Sequence, residues 1–426
     1  MDAAYDHIGN VELLKGLEKK FQRESWYNTF WGGMEGVPSI TWPDNGNAEP
    51  SVNLSGMPIE MFSDNRRQGR DHYLMPFLKP LQNRPKLGDD VVKGHEEQMR
   101  LWWTRGYLNQ FRHAVEAKSG DMANQRLKLY RLVEQARPLL SDYWAKVKNQ
   151  MVFQAFYEGL SFPLSDSKDL YGLGVKKRYH PNWYFNDGGS LTSVGTTGGG
   201  KTTRRTTKTA TNLDDANTNC DTGLTADILR EFRTELQYLR IPQIVTKSGH
   251  SFWLLLVHPA QANKLKTETD FKSTFESAYQ RTMEDFPMIK GEMVIGYYEG
   301  FLIIEEPVGI RGWDATNNDL FGDLETSFDE FISPTDVTAN YNAIAVGKSA
   351  IGRAVGEALH FEFERDDYNN IEGVAGAEID GFNRADFFAE SNSGDSSGGA
   401  FERNSTGGVI SATSADNYSS AILMTD

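Results

Sequence analysis

The chain has 426 residues, of which 39% are hydrophobic and 12% aromatic, with a formal net charge of −15 and a pI near 5.1. This is ordinary globular composition, enough for one or two sizeable cores, and it lacks the basic excess on which sequence-independent DNA binding depends. The lone Cys220 excludes intramolecular disulfides and cysteine-based zinc sites, and the eight histidines show no H-x-x-x-H or H-E-x-x-H spacing.

At the N-terminus, MDAAYDHIGN has neither a basic nor an apolar segment, and no run of about 18 apolar residues occurs anywhere. A cytoplasmic chain without signal peptide or membrane span is expected. From Asn10 to Phe30, the residues Val11, Leu14, Leu17, Phe21 and Trp26 predict a short amphipathic helix. The turn-rich GGMEGVPSITWPDNGNAEP follows, so residues 1–63 read as an arm. Its aromatic cluster, Trp26, Tyr27, Phe30 and Trp31, has no core of its own and must bury itself on this subunit or on a neighbour.

DHYLMPFLKPL and RLWWTRGYLNQFRHAVE read as extended runs around a polar excursion, together a long hairpin-like loop over 64–110. Its prolines and glycines prevent a private core. Leu81, Leu87, Val91, Val92 and Met99 are nevertheless too apolar for a solvated tip, which points to burial on an adjacent subunit. Arg84, Lys86 and Lys93 beside Asp89, Asp90, Glu96 and Glu97 supply complementary charge for the docking register. The candidate contact set of the loop is therefore Arg84, Lys86, Leu87, Asp89, Asp90, Val91, Lys93, Glu96 and Glu97.

Residues 121–160 carry the most persistent helical period. Leu129, Leu132, Val133, Ala136, Leu140, Tyr143, Trp144, Val147, Met151 and Ala155 share one stripe, while Pro138 lies almost opposite it and predicts a bent helix rather than two. No second helix of matching length exists to pair with it as a coiled coil, so a long helix lying on sheet in an elongated body is expected.

Gly195, Gly200, Lys201 and Thr202 match G-x-x-x-x-G-K-[ST], which would make a phosphate-binding loop. The context is wrong for one: SLTSV is short and polar, and TTRRTTKTAT has no helical period. A helix is predicted over Thr225–Leu239 with Thr222 and Thr225 as candidate caps, ending before Pro242, and SFWLLLV predicts a strand that hands over to a helix at Pro259. His258 is a candidate base, although a lone His before such a Pro is more often a capping or turn residue. MVIGYYEGFLIIEEP reads as a hairpin about Glu299-Gly300, and Glu305 and Glu306 as a solvated strand end. The acidic GIRGWDATNNDLFGDLETSFDEF stretch reads as a surface insertion, AIAVGKSAIGRAVGE as helix-compatible, and LHFEFERDDYNN and GVAGAEIDGFNRADFF as strands. Residues 391–426 read as a flexible Gly/Ser tail.

Several blocks then occur in a telling order: GDDVVKGHEE, QFRHAVEAKSG leading into the long helix, LTADILREFRTEL, FWLLLVHPAQANKL, GYYEGFLIIEEPV, AVGKSAIGRAVGE and DDYNNIEGVAGAEIDGFNRADF. Together they resemble the major capsid proteins of tailed bacteriophages with the Hong Kong 97 fold, from about Leu13 to Phe388 outside the stretch near Asp314 to Asn340. The resemblance implies an α+β chain with an N-terminal arm (1–63), an extended loop (64–110), a peripheral domain (111–223) with spine helix 121–160, an axial domain (224–358), a return to the peripheral domain (359–390) and a tail (391–426). It implies a non-enzymatic protein without cofactor or metal that self-assembles as hexamers and pentamers into an icosahedral shell around double-stranded DNA, which it binds weakly. Scaffolding and portal proteins, and a decoration protein, are the expected partners, with assembly in the bacterial host cytoplasm and residence in the virion. The alternatives are a nucleotide hydrolase using Lys201 and a monomeric binding module.

Overall fold

The computed structural model of the chain describes residues 29–37, 39–41, 51–53, 55–62, 72–78, 93, 101–116, 132–161, 180–187, 190–194, 209–210, 223–245, 249–272, 294–307, 309–314, 319–320, 340–366, 371–388, 415–417 and 419–425. The strand Ser251–Val257 is unbroken apolar sequence from Phe252 on because both of its faces are covered there. Phe252, Leu254 and Leu256 face a core shared with Met151, Val152, Phe153 and Phe156 of helix α1 (Leu132–Glu158). Trp253, Leu255 and Val257 face a second core, shared with Ile228, Leu229, Phe232 and Leu236 of α2 (Ala226–Tyr238) and Ala262 and Leu265 of α3 (Pro259–Thr267). Each such fully buried aliphatic side chain contributes about 1.5–3 kcal/mol.

This strand lies inside a nine-stranded mixed sheet. The order is 209–210, Ser190–Val194, Trp183–Asp187, Ser420–Thr425, Tyr341–Val346, Ser251–Val257, Phe301–Glu305 and Val294–Tyr298, with Ile244–Val245 paired to one end of Ser251–Val257. A five-stranded sheet runs Glu35–Gly36, Ile59–Met61, Ile351–Asp366, Ile371–Arg384 and Asn109–Glu116. Its two long antiparallel strands, 16 and 14 residues, pack against α1. The helix thus touches both sheets.

Local signals account for the element ends. Thr225 caps α2, its hydroxyl accepting from Ile228 N–H. His258 caps α3: its Nδ1 accepts from Ala260 N–H at 3.2 Å, and Gln261 Oε1 accepts from His258 N–H at 3.0 Å. Glu299 and Gly300 take φ of 50° and 86°, as a tight two-residue hairpin turn requires. Pro138 sits within α1, which runs uninterrupted for 27 residues, and Gly159 at φ 83° follows its last turn. Residues 121–131, the predicted first turns of this helix, lie outside the described residues, as does 10–28 of the arm.

Three expectations are corrected. AIAVGKSAIGRAVGE is strand, not helix: β-branched Ile344, Val346, Ile351 and Val355 fit buried sheet, and Lys348–Ser349 turns the chain between Tyr341–Val346 and Ile351–Asp366. Residues 415–417 and 420–425 are strands rather than flexible tail, because AILM is an apolar run that the sheet buries on both faces. The two sheets run across positions 223 and 358: Trp183–Asp187 and Ser190–Val194 join the nine-stranded sheet, and 351–358 the five-stranded one. The acidic stretch read as surface begins with buried Ile310 and Arg311, and Glu306 of the expected solvated strand end is buried as well. Trp31 is 0% exposed in this subunit's own core, one of the two placements expected for the arm's aromatics.

Candidate functional site

The expected loop begins as a hairpin. His72–Leu78 pairs antiparallel with Leu101–Tyr107, in register from His72↔Tyr107 to Leu78↔Leu101. Seven paired residues at about 3.4 Å each carry the ladder roughly 24 Å, and residues 79–100 continue from its far end. Lys93, the tip residue described, is exposed in a turn. Arg84, Lys86, Leu87, Asp89, Asp90, Val91, Glu96 and Glu97 lie outside the described residues, as do Trp26, Tyr27 and the Gly195, Gly200, Lys201 and Thr202 motif.

The root of this hairpin is fixed by one phenol. Tyr73 is buried, and its hydroxyl donates to Gly352 O at 2.8 Å and accepts from Asn383 Nδ2 at 2.8 Å, which ties the hairpin to both long strands. Asn383 also brackets the second hairpin strand, accepting from Tyr107 N–H and donating to Tyr107 O, each at 3.3 Å. Burial raises the Tyr73 phenol well above its ordinary range, against the Asn383 hydrogen bond, so it stays protonated and able to donate. Phe62, Leu108, Ala354 and Ala385 surround the ring. Two glycines make room: a Cβ on Gly106 would stand 2.2 Å from the Tyr73 ring, and one on Gly381 would stand 2.0 Å from Tyr107 O.

Beneath the root runs a belt of buried charge. Arg353 Nη2 meets Asp380 Oδ2 at 2.8 Å and its Nη1 meets Glu35 Oε1 at 3.0 Å, so three strands of the sheet share one guanidinium, which also lies 5.2 Å from the Phe382 ring centre. Burial would lower the Arg353 value, but Asp380 and Glu35 outweigh it and hold the group charged. One turn into the helix interface, Lys148 Nζ of α1 meets Glu378 Oε2 at 2.8 Å. Glu60 accepts from Ser55 N–H, Gly56 N–H and Ser349 Oγ–H, closing the side of the sheet that the arm enters.

The arm's aromatics are packed on α1. Trp31 lies edge-on to Phe153 at 5.4 Å and tilted to Phe156 at 5.5 Å, with Phe30 partly buried beside it. The predicted contacts Phe30 and Trp31 therefore anchor the arm to its own subunit. Sequence reading missed Tyr73, Asn383 and the ion pairs. A Tyr opposite a Gly in two paired runs was the one available signal, whereas charges 27 or more positions apart leave none.

His258 is engaged in capping, Lys266 pairs with Glu305 at 3.0 Å, and no group of three or more metal-ligating side chains occurs among the described residues. No helix among those residues is long and apolar enough to cross a membrane. What the site does physically is tie the root of the hairpin to the two long strands.

Comparison with known proteins agrees. A family model described as phage capsid protein matches residues 38–410. Among solved structures, the chain is similar to the capsid of Ralstonia phage GP4, with 13% identity, 87% of each chain covered and a TM-score of 0.54. It is similar to the head structure of Helicobacter pylori bacteriophage KHP40, with 10% identity, 94% of this chain and 91% of that one covered, and a TM-score of 0.54. It is similar also to the capsid asymmetric unit of cyanophage Pam1, with 14% identity, 90% and 95% covered, and a TM-score of 0.54. At such identities the likeness is one of fold, and no curated protein matches. The architecture is the α+β Hong Kong 97-type capsid fold, and the chain belongs to the phage capsid protein family.

Proposed function

We propose that this chain is the major subunit of an icosahedral shell in which it sits as hexamers and pentamers, each extended hairpin lying on an adjacent subunit. The observation that carries the reading is the hairpin root: Tyr73 and Asn383 fix its base to the sheet, while the sequence joining the two paired strands has a composition that gives it no core of its own. A rigid base with an apolar, charged tip is what an intersubunit clasp requires.

In this reading α1 and the five-stranded sheet form the peripheral domain, and the nine-stranded sheet with α2 and α3 forms the axial domain. Residues 29–37 and 55–62 belong to the part of the arm that stays on its own subunit. Scaffolding and portal proteins act during assembly in the host cytoplasm, a decoration protein binds outside, and double-stranded DNA fills the interior. An acidic subunit of net charge −15 tolerates that DNA without gripping it.

The test is to replace residues 84–94 with a short Gly/Ser turn and compare circular dichroism, thermal melting and negative-stain microscopy. Helix content and melting should match the unaltered protein while closed shells fail to form. Normal shells would refute the clasp, and a stable monomer that never assembles in the unaltered form, with its co-assembly proteins present, would refute the shell itself.

A further inference from the structure

The strand Ser420–Thr425 follows every other strand of the nine-stranded sheet in sequence, yet it occupies a central position. It runs antiparallel to Tyr341–Val346 over six register pairs and parallel to Trp183–Phe185 over three. All six of its residues are 0% exposed. Ile422 and Met424 complete the core against α1, and Ala421 and Leu423 the core under α2 and α3. Gln261 Nε2 donates to Thr425 Oγ1 at 2.8 Å, and Asn182 Nδ2 donates to Asn417 O at 2.7 Å.

A second route joins the same segment to the helix. Arg384 Nη1 donates to the carbonyls of Phe156 at 2.5 Å and Tyr157 at 3.3 Å, so a buried cation caps the C-terminal end of α1. Asp386 holds that guanidinium through Nε and Nη2, each at 2.8 Å. Asn417 Nδ2 donates to Asp386 Oδ1 at 3.0 Å, while Asn417 Oδ1 accepts from the N–H groups of Ser419 and Ser420 at 2.8 Å each. An unbroken line of hydrogen bonds therefore leads from the end of the helix to the start of the strand. Phe388 pairs with Ala415, and the sequence between them is Gly/Ser-rich.

We propose that residues 415–425 are an intramolecular donor strand: a separable peptide ligand whose groove is built by residues 180–187 and 340–347 and whose seating locks the end of the spine helix. Without it the sheet splits into two parts with exposed edges, both cores lie open, and Asp386 loses its amide partner. Because all other strands of the sheet precede it, a chain still lacking this segment has no closed body to offer a growing assembly. The inference does not depend on the shell reading.

The experiment uses the full chain with a protease recognition sequence inserted between Ser397 and Gly398, cut under native conditions. The severed segment should remain bound through gel filtration, and a labelled synthetic peptide of residues 415–425 should exchange into the groove. Amide protection of residues 150–158 in α1 should persist while the segment is seated and fall when mild denaturant displaces it. In the same cleavable chain, Asn417→Ala should release the segment about tenfold faster. Prompt loss of the segment on cleavage, with helix protection and melting temperature unchanged, would overturn the proposal. So would displacement that leaves residues 150–158 fully protected.

Discussion

Lys148→Met is expected to be among the most damaging single substitutions in the chain, although it removes one charge and keeps the side-chain length. Lys148 and Glu378 are 1% and 3% exposed and meet at 2.8 Å, and Glu378 Oε1 accepts no hydrogen bond among the described residues. Without the ammonium, a carboxylate is left buried and uncompensated two positions from the Asp380 carboxylate on the same strand, a loss of about 3–5 kcal/mol. The paired change Lys148→Met with Glu378→Leu removes both charges and should cost far less. The pH dependence has a definite sign. Burial raises Glu378 above its ordinary value of 4.5 and Lys148 opposes that rise. A carboxyl raised in the folded state gives its full contribution below 4.5 and loses it as pH climbs through the raised value. Removing Lys148 widens this window, so the deficit of Lys148→Met should be larger near pH 7.5 than near pH 5. Urea unfolding of the unassembled subunit, followed by tryptophan fluorescence, measures this; Trp144 is buried one turn before Lys148. A loss below about 1 kcal/mol at neutral pH, or an equal loss at both pH values, would refute the reasoning.

Trp31→Ala should lower subunit stability by about 3–5 kcal/mol in the same assay, whereas an aromatic seated only on a neighbour would leave the isolated subunit unchanged. Gly381→Ala forces a Cβ to 2.0 Å from Tyr107 O, so amide exchange in 72–78 and 101–107 should accelerate; Gly373→Ala on the same strand, where the nearest atom is 3.6 Å away, should not change it. Burial and the nearby Arg384 hold His180 well below its ordinary 6.5, with Nδ1 accepting from Asn182 N–H. That contribution is present above 6.5 and is lost as pH falls through the lowered value, so thermal melting should decline with acid more steeply in the native chain than in His180→Gln.

Much of the architecture was legible where local chemistry decides structure. The Thr225 cap, the His258-Pro259 handover, the Glu299-Gly300 turn and the unalternating Ser251–Val257 run each have a short-range cause, and each element forms where that cause places it. Two kinds of feature were not legible. Small residues misled, because the Ala and Gly of 343–356 fit a helical period as readily as a strand, and only the sheets on either side decide between them. Buried charges were invisible: nothing in the sequence around Lys148, Arg353, Glu378, Asp380 and Arg384 marks them as buried, and only the fold pairs them. Ser420–Thr425 was a missed opportunity of a different sort, since AILM is a strand-length apolar signal that the Gly/Ser context disguised.

The central claim is that the hairpin rooted at Tyr73 reaches a neighbouring subunit, and position 93 tests it most directly because Lys93, which lies between the two hairpin strands in sequence, is exposed in a turn. A photoreactive amino acid placed there should, on illumination of assembled shells, give cross-linked dimers joined through residue 93, and give none in the unassembled subunit. Illuminated shells that yield only cross-links within one chain would contradict the account.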